Sequence, residues 1–326
     1  MTAAAPAPDE IEALALAAAH VVADAVRPLL GRGSSRAEVG VAPGGDVTMA
    51  IDDVAEHALA EHLAAAGDIA YYSEDRGLVQ FGRPRALFVV DPVDGTRPAA
   101  AGLESGCVSI AVVPPTPEAT LGEVTFGVVH EIRSGDRFWA RRGGGAGAAR
   151  ADGRPIALAC SPNDDLDALF WSAGTRGRPT RALASVLGDL VDRSAMAGGY
   201  VDPASATFSM TRIATGQLDA YVDVAARMVR DVPDLEPEFR RVGRGSVCTN
   251  FPYDVAAAAL VVTEAGGVVT DADGARLDAV RAVGSGDDFR VAVVAAGTVG
   301  LHERLLAEVD RGMARLVAAT RPTPSS

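Results

Sequence analysis

Three features of the chain predict a layered α/β fold. Apolar residues recur with helical spacing over residues 9–30 and again over 48–66. Short β-type runs follow, and strands then alternate with helices through the second half. A chain of 326 residues with 48% hydrophobic content is also long enough to bury one large core or two packed together.

In order along the chain, Pro28, Gly31 and Gly33 end the first helix. A Gly/Pro-rich turn at 40–45 precedes the second, which carries Asp52 in its opening turns. Strands are expected at 69–73, 86–90, 108–113, 124–129 and 137–140. From Pro155 the alternation changes, with strands at 168–172, 195–198 and 218–222 and helices around 181–190 and 204–215. Two α/β halves are implied, residues 1–150 and 151–326. A charged, Pro/Gly-containing stretch at 225–250 interrupts the second before a helix at 254–265, a strand at 268–270 and a closing helix at 299–318. The tail 321–326 is expected to fray.

Composition narrows the function classes. The formal net charge is -13, and all 30 basic residues are arginines, with no block dense enough to track a phosphodiester backbone. Nucleic-acid binding is disfavoured. An acidic protein that takes an anionic substrate must offset the repulsion locally, and bound divalent metal is the simplest means. Cys107, Cys160 and Cys248 are odd in number and widely spaced, which offers neither a disulfide framework nor a CxxC site. A reducing cytoplasm is the expected location. The sequence carries no basic start with an apolar run and no apolar stretch of membrane-spanning length, so a soluble chain is expected.

The segment Leu87-Phe88-Val89-Val90-Asp91-Pro92-Val93-Asp94-Gly95-Thr96 carries the most chemistry. It is an apolar strand running into two acids, and clustered carboxylates at a buried strand end are costly unless a cation shares the charge. Pro92 removes a donor and stiffens the turn, so the Val93 carbonyl can point where the two acids point. Hard oxygen donors of this kind suit Mg²⁺ or Mn²⁺. Gly95 and Thr96 then open a helix with Arg97 and Pro98 in its first turn, a natural phosphate cradle. The Thr96 hydroxyl is placed either to orient a water or to cap that helix. An Asp-Gly turn that only caps a helix is the plainer alternative. Glu74 ends a second strand, and Asp254 opens a helix, where an acid is ordinarily a dipole partner. Three such acidic ends in one chain favour the metal reading.

These residues resemble the inositol monophosphatase family of metal-dependent, lithium-sensitive sugar phosphatases. Asp91-Pro92-Val93-Asp94-Gly95-Thr96 is similar to its first signature. Tyr253-Asp254-Val255-Ala256-Ala257 with Val262-Thr263-Glu264-Ala265-Gly266-Gly267 is similar to its second. The likeness extends through Asp46-Val47-Thr48 to Asp52, through Ser73-Glu74-Asp75, and from Phe126 to Gly143. It implies an αβαβα sandwich and metal ligation by Glu74, Asp91, the Val93 carbonyl, Asp94 and Asp254, with two or three Mg²⁺ ions, or Mn²⁺. It further implies phosphate on the Gly95 and Thr96 amides and a water positioned by Thr96, Asp52 and Glu74. A homodimer is implied on the same ground.

The likeness departs at two substrate positions. Arg97 stands where inositol-type members carry Asn, and is more similar to the histidinol-phosphate and nucleotide branches. Asp223 aligns where the family offers Glu to a substrate hydroxyl. The substrate expected is a small phosphorylated metabolite, a cyclitol, sugar or polyol phosphate contacted by Asp94, Asp223, Asp254 and Arg97. A histidinol-phosphate or 3′-nucleotide phosphatase and a non-catalytic family member are the alternatives. The 225–250 connection is longer than the family's usual one and is expected to be a lid, a subunit contact or a surface loop.

Other candidates read as structure. His20, His57, His62, His130 and His302 show no ligand spacing. Gly143-Gly144-Gly145 suits a hairpin turn, Cys107 and Cys160 suit core positions, and no Gly-x-Ser-x-Gly elbow is present.

Overall fold

The computed structural model describes residues 9–45 and 47–320, so Asp46 and the 321–326 tail lie outside the described residues. The chain opens with α1 (Glu10–Val26), a ribbon of β1 (Glu38–Val41) and β2 (Val47–Met49), and α2 (Ala50–Ala66). Then come β3 (Ile69–Ser73), β4 (Gly77–Phe81), β5 (Leu87–Asp94), the short helix α3 (Thr96–Ala101), β6 (Cys107–Val113), β7 (Phe126–Glu131), β8 (Arg137–Arg141) and β9 (Gly145–Ala149). The second half holds β10 (Phe170–Ala173), α4 (Thr180–Ser194), β11 (Gly199–Val201), α5 (Ala206–Ala214), β12 (Ala220–Asp223), α6 (Ala225–Asp231) and α7 (Glu236–Val242). It closes with α8 (Pro252–Glu264), β13 (Val268–Thr270), β14 (Val293–Ala296) and α9 (Val299–Thr320).

A seven-stranded sheet runs in the order β4-β3-β5-β6-β7-β8-β9, and a five-stranded sheet runs β11-β10-β12-β14-β13. Helices α1 and α2 pack on the outer face of the first sheet, α5 and α8 lie between the sheets, and α4 and α9 cover the far face of the second. That order of layers is the αβαβα sandwich implied by the sequence. Three apolar clusters fill the spaces between layers. Phe88 and Val90 of β5 face α1 and α2, whereas Leu87 and Val89 face α5 and α8. The whole strand is buried because it is covered on both faces, which is why its sequence reads as an unbroken apolar run.

Several elements differ from expectation. Residues 47–49 form a strand, because they pair with residues 38–41, so the second helix starts at Ala50. Residues 195–198 form a turn after α4, and the strand begins at Gly199. Gly198 packs so close to the Leu169 backbone that a Cβ there would collide with its carbonyl. The 225–250 connection contains α6 and α7, which bury Met228, Val229 and Phe239 in the cluster under the second sheet. Strands β4, β9 and β14 lie outside the expected set. In β9 the sequence Gly-Ala-Gly-Ala-Ala lacks β-formers, and it is a strand because Gly147 lets the Trp139 ring lie on its backbone, 2.8 Å from where a Cβ would stand.

Candidate metal centre

The site is built at the end of β5. Residues three apart on a regular strand point to opposite faces. Here Asp91 pairs with Ser109 and Asp94 with Cys107, three steps on β5 against two on β6. This bulge inserts one residue and reverses the alternation. Val93 consequently joins the cluster under α1 and α2, and Asp94 turns to the face that Asp91 already occupies. Pro92, with no N–H to give to the ladder, sits within the bulge.

From the other end of the chain, α8 brings Asp254. One ligand atom each from Asp91, Asp94 and Asp254 lies within 4.8 Å of the others. Asp254 is the N3 residue of α8, and its carboxylate accepts from the Phe251 N–H at 2.5 Å. It is therefore both a helix cap and a member of the cluster. Glu74, just past β3, lines the same cleft with Asp94 and Asp254 and acts electrostatically on Asp91.

This clustering perturbs the acids strongly. Burial first, and then the charges of Glu74, Asp94 and Asp254, push the Asp91 carboxyl well above the ordinary range. Burial and then the Asp94 charge push Asp254 up to about 7. Burial raises Asp94 too, against hydrogen bonds from Ser205 and Thr207. The donors are oxygens throughout, which fits a hard divalent cation and not zinc.

Backbone geometry completes the site. Gly95 adopts φ 82°, a left-handed conformation, and a Cβ there would stand 2.8 Å from the Ser105 carbonyl. This turn starts α3 and lets the Thr96 hydroxyl donate to the Val93 carbonyl at 3.0 Å. Asp94 Oδ2 accepts from Ser205 Oγ and from the Thr207 N–H, both at 2.6 Å. Ser205 also caps α5 by accepting from the Phe208 N–H at 3.1 Å.

Other singled-out residues have different surroundings. Asp52 lies in the first turn of α2, where its carboxylate accepts from the Met49 N–H at 2.8 Å. Arg97 lies on the side of the β1–β2 ribbon. There Arg244 first, and Arg97 to a lesser degree, hold the Glu38 carboxyl below its usual range. Asp223 is fully buried, its carboxylate engaged by Arg178 and by the Ala225 N–H at 2.9 Å. The cleft wall at this point is formed by Gly174, Thr175, Arg176, Arg178 and Tyr221.

Sequence reading missed Thr175, Arg176 and Arg178, Ser205 and Thr207, and the cleft-lining residues from Ser246 to Asn250. The loop Gly174-Thr175-Arg176-Gly177-Arg178-Pro179 directly after a strand was the available signal for the first group. For Ser205 it was a serine at a helix start.

Comparison with known proteins shows the family and the fold. The model of the inositol monophosphatase family matches residues 7–314. A fructose-1,6-bisphosphatase/inositol-1-monophosphatase from Methanothermobacter thermautotrophicus is 29% identical over 308 residues, covering 91% of this chain and 95% of its own. Human inositol monophosphatase 1 is 25% identical, covering 68% of this chain and 65% of its own. Among solved structures, the Thermotoga maritima IMPase superposes with a TM-score of 0.64 at 21% identity, covering 92% of this chain and 97% of its own. The chain belongs to the inositol monophosphatase family and is, by that family and its relatives' names, a phosphoric monoester hydrolase.

Proposed function

We propose that this protein is a Mg²⁺-dependent phosphomonoesterase acting on a small polyol phosphate, with Mn²⁺ able to substitute. The observation that carries the reading is the convergence of Asp91 and Asp94 with Asp254, from sequence positions 160 residues or more apart. Two of the three are more than nine-tenths buried, and such repulsion is sustained when cations lie among the carboxylates.

In this reading Glu74, Asp91, Asp94, Asp254 and the Val93 carbonyl hold two or three metal ions. Divalent metal at such a site supplies an acidified water and charge neutralisation for in-line phosphoryl transfer. The N–H groups of Gly95 and Thr96, at the start of α3, hold phosphate oxygens. Glu74 and Asp52 accept the proton of the attacking water, while Thr96, fixed by the Val93 carbonyl, orients it. Residues 1–150 contribute most ligands, and residues 151–326 contribute Asp254 and the opposite wall. The chain is further assigned as a cytoplasmic homodimer, in keeping with three unpaired cysteines and with family resemblance.

The relatives' names support a sugar-phosphate substrate, because the Methanothermobacter protein is named for fructose-1,6-bisphosphate and inositol 1-phosphate. The test is phosphate release from a panel of cyclitol, sugar, nucleotide and histidinol phosphates, with Mg²⁺ and with chelator. Release is expected only with metal and is expected to be lost in Asp91→Asn. Chelator-insensitive release would overturn the metal mechanism, and a folded protein inactive on every ester would favour a binding role.

A further inference from the structure

We propose, resting on the metal-dependent phosphatase reading, that Thr207 is a positioning residue that joins the two ends of the metal centre, holding the helix of Asp254 in register with Asp94. Thr207 is fully buried and touches both residues. Its N–H donates to Asp94 Oδ2 at 2.6 Å, and its hydroxyl donates to the Asp254 carbonyl at 3.1 Å. Asp94 ends β5 in the seven-stranded sheet, whereas Asp254 lies in the first turn of α8, between the sheets. One residue of α5 therefore spans two layers.

Its place in the helix explains why it can do both. Ser205 is the N-cap of α5, and Thr207 is the second residue of the helix. First-turn amides have no acceptor within their own helix, so this N–H is available to a carboxylate. A helical threonine ordinarily turns its hydroxyl to the carbonyl four residues back. Here that residue is Pro203, which precedes α5 and whose carbonyl already accepts from Ser105 Oγ at 2.6 Å. The hydroxyl is directed across to α8 instead.

The Asp254 carboxylate caps its own helix through the Phe251 N–H, so its position follows that of the first turn of α8. Two buried hydroxyls tie this turn to its surroundings. One is Thr207, and the other is Ser109, whose Oγ donates to the Tyr253 carbonyl at 3.3 Å. Ser109 is the ladder partner of Asp91. Together they refer α8 to the elements that carry or orient the other two acids of the cluster. Mg²⁺ demands near-ideal octahedral geometry, so a loosened α8 registers as lost metal affinity.

The test compares wild type with Thr207→Val, which keeps the shape and the N–H but removes the hydroxyl, and with Thr207→Ser, which keeps the hydroxyl and removes a methyl. The first readout is calorimetric Mn²⁺ affinity, which does not depend on turnover. The second is the Mg²⁺ dependence of kcat and KM on inositol 1-phosphate. Thr207→Val is expected to weaken Mn²⁺ binding by about tenfold, with kcat recovering at saturating Mg²⁺ and KM little changed. Thr207→Ser is expected to stay near wild type, and Ser109→Ala to move in the direction of Thr207→Val. A packing role alone predicts the opposite order, because serine leaves a cavity where valine leaves none. Wild-type Mn²⁺ affinity in both Thr207→Val and Ser109→Ala, or a loss in Thr207→Ser as large as in Thr207→Val, would overturn the proposal while leaving the metal site standing. A wild type that binds no Mn²⁺ would instead overturn the metal reading, and the proposal with it.

Discussion

Ser205 Oγ donates to Asp94 Oδ2 at 2.6 Å, joining residues 111 apart in sequence across the two layers that meet at the cleft. The same hydroxyl caps α5, so the seat of that helix and the orientation of Asp94 are one arrangement. Removing it in Ser205→Ala leaves Thr207 N–H as the remaining donor to Oδ2. Supporting hydrogen bonds to metal ligands are worth about 10–100-fold in affinity or activity. The Mg²⁺ concentration for half-maximal activation is expected to rise within that range, and calorimetric titration with Mn²⁺ checks it directly.

Asp91→Asn is expected to separate stability from function. Without metal, the substitution removes one of the mutually repelling buried acids, so the metal-free protein should unfold at higher temperature than wild type. Added Mg²⁺ should stabilise wild type and fail to stabilise the variant. Paired thermal melts with and without Mg²⁺ measure both, and a wild type unmoved by Mg²⁺ would count against the metal site.

Glu56, one turn along α2 from Asp52, sits behind the turn that carries Glu74. Its Oε1 accepts from the Asp75 N–H at 3.4 Å, its Oε2 lies 3.7 Å from Arg76 Nε, and it is 1% exposed. Burial first, with Asp75 adding to it, raises its carboxyl to about 7 against the ordinary 4.5. Between those values the folded state holds a proton that the unfolded state has released, so this group makes stability fall as pH rises from about 4.5 to about 7. Glu56→Gln abolishes that term. The variant is expected to melt above wild type at pH 8 and close to it at pH 4, as melts across that range would show.

Arg178→Leu is expected to be severe for a reason distinct from catalysis. It strands the Asp223 carboxylate in the core, and breaking a buried pair costs about 3–5 kcal/mol. Urea unfolding should show that loss for the single variant. Arg178→Leu with Asp223→Leu should recover much of it, because two apolar groups replace the pair.

Gly95→Ala tests the turn itself. A Cβ at φ 82° and 2.8 Å from the Ser105 carbonyl is strained both locally and by contact, at a cost of about 1–3 kcal/mol. Loss of stability should be accompanied by loss of phosphate-ester turnover, because the Thr96 amide moves with the turn. Urea unfolding and a rate assay on the same preparation test both.

Much of the fold was legible locally. The apolar strand 69–73 and the helix ending at residue 66 need only periodicity and a glycine stop. The acids at 91 and 94 were visible because charge at the end of a buried apolar strand is costly wherever the chain goes, whereas Asp254, at a helix start, gained weight only beside those acidic ends and from the family resemblance. Elements such as β9 and the helices of the 225–250 connection were not legible, since their form depends on a ring or a core supplied from elsewhere.

The sequence by itself determined which side chains could hold a cation, because donor chemistry belongs to the residue. Tertiary structure decided which of them meet. The bulge opposite Cys107 turns Asp94 to the face of Asp91, and the α5–α8 layer sets Asp254 beside them. It also decided that Arg178 occupies Asp223, because two oppositely charged groups that are both denied water must find each other. Register and pairing depend on strands and helices far away in the chain, and no local pattern encodes them.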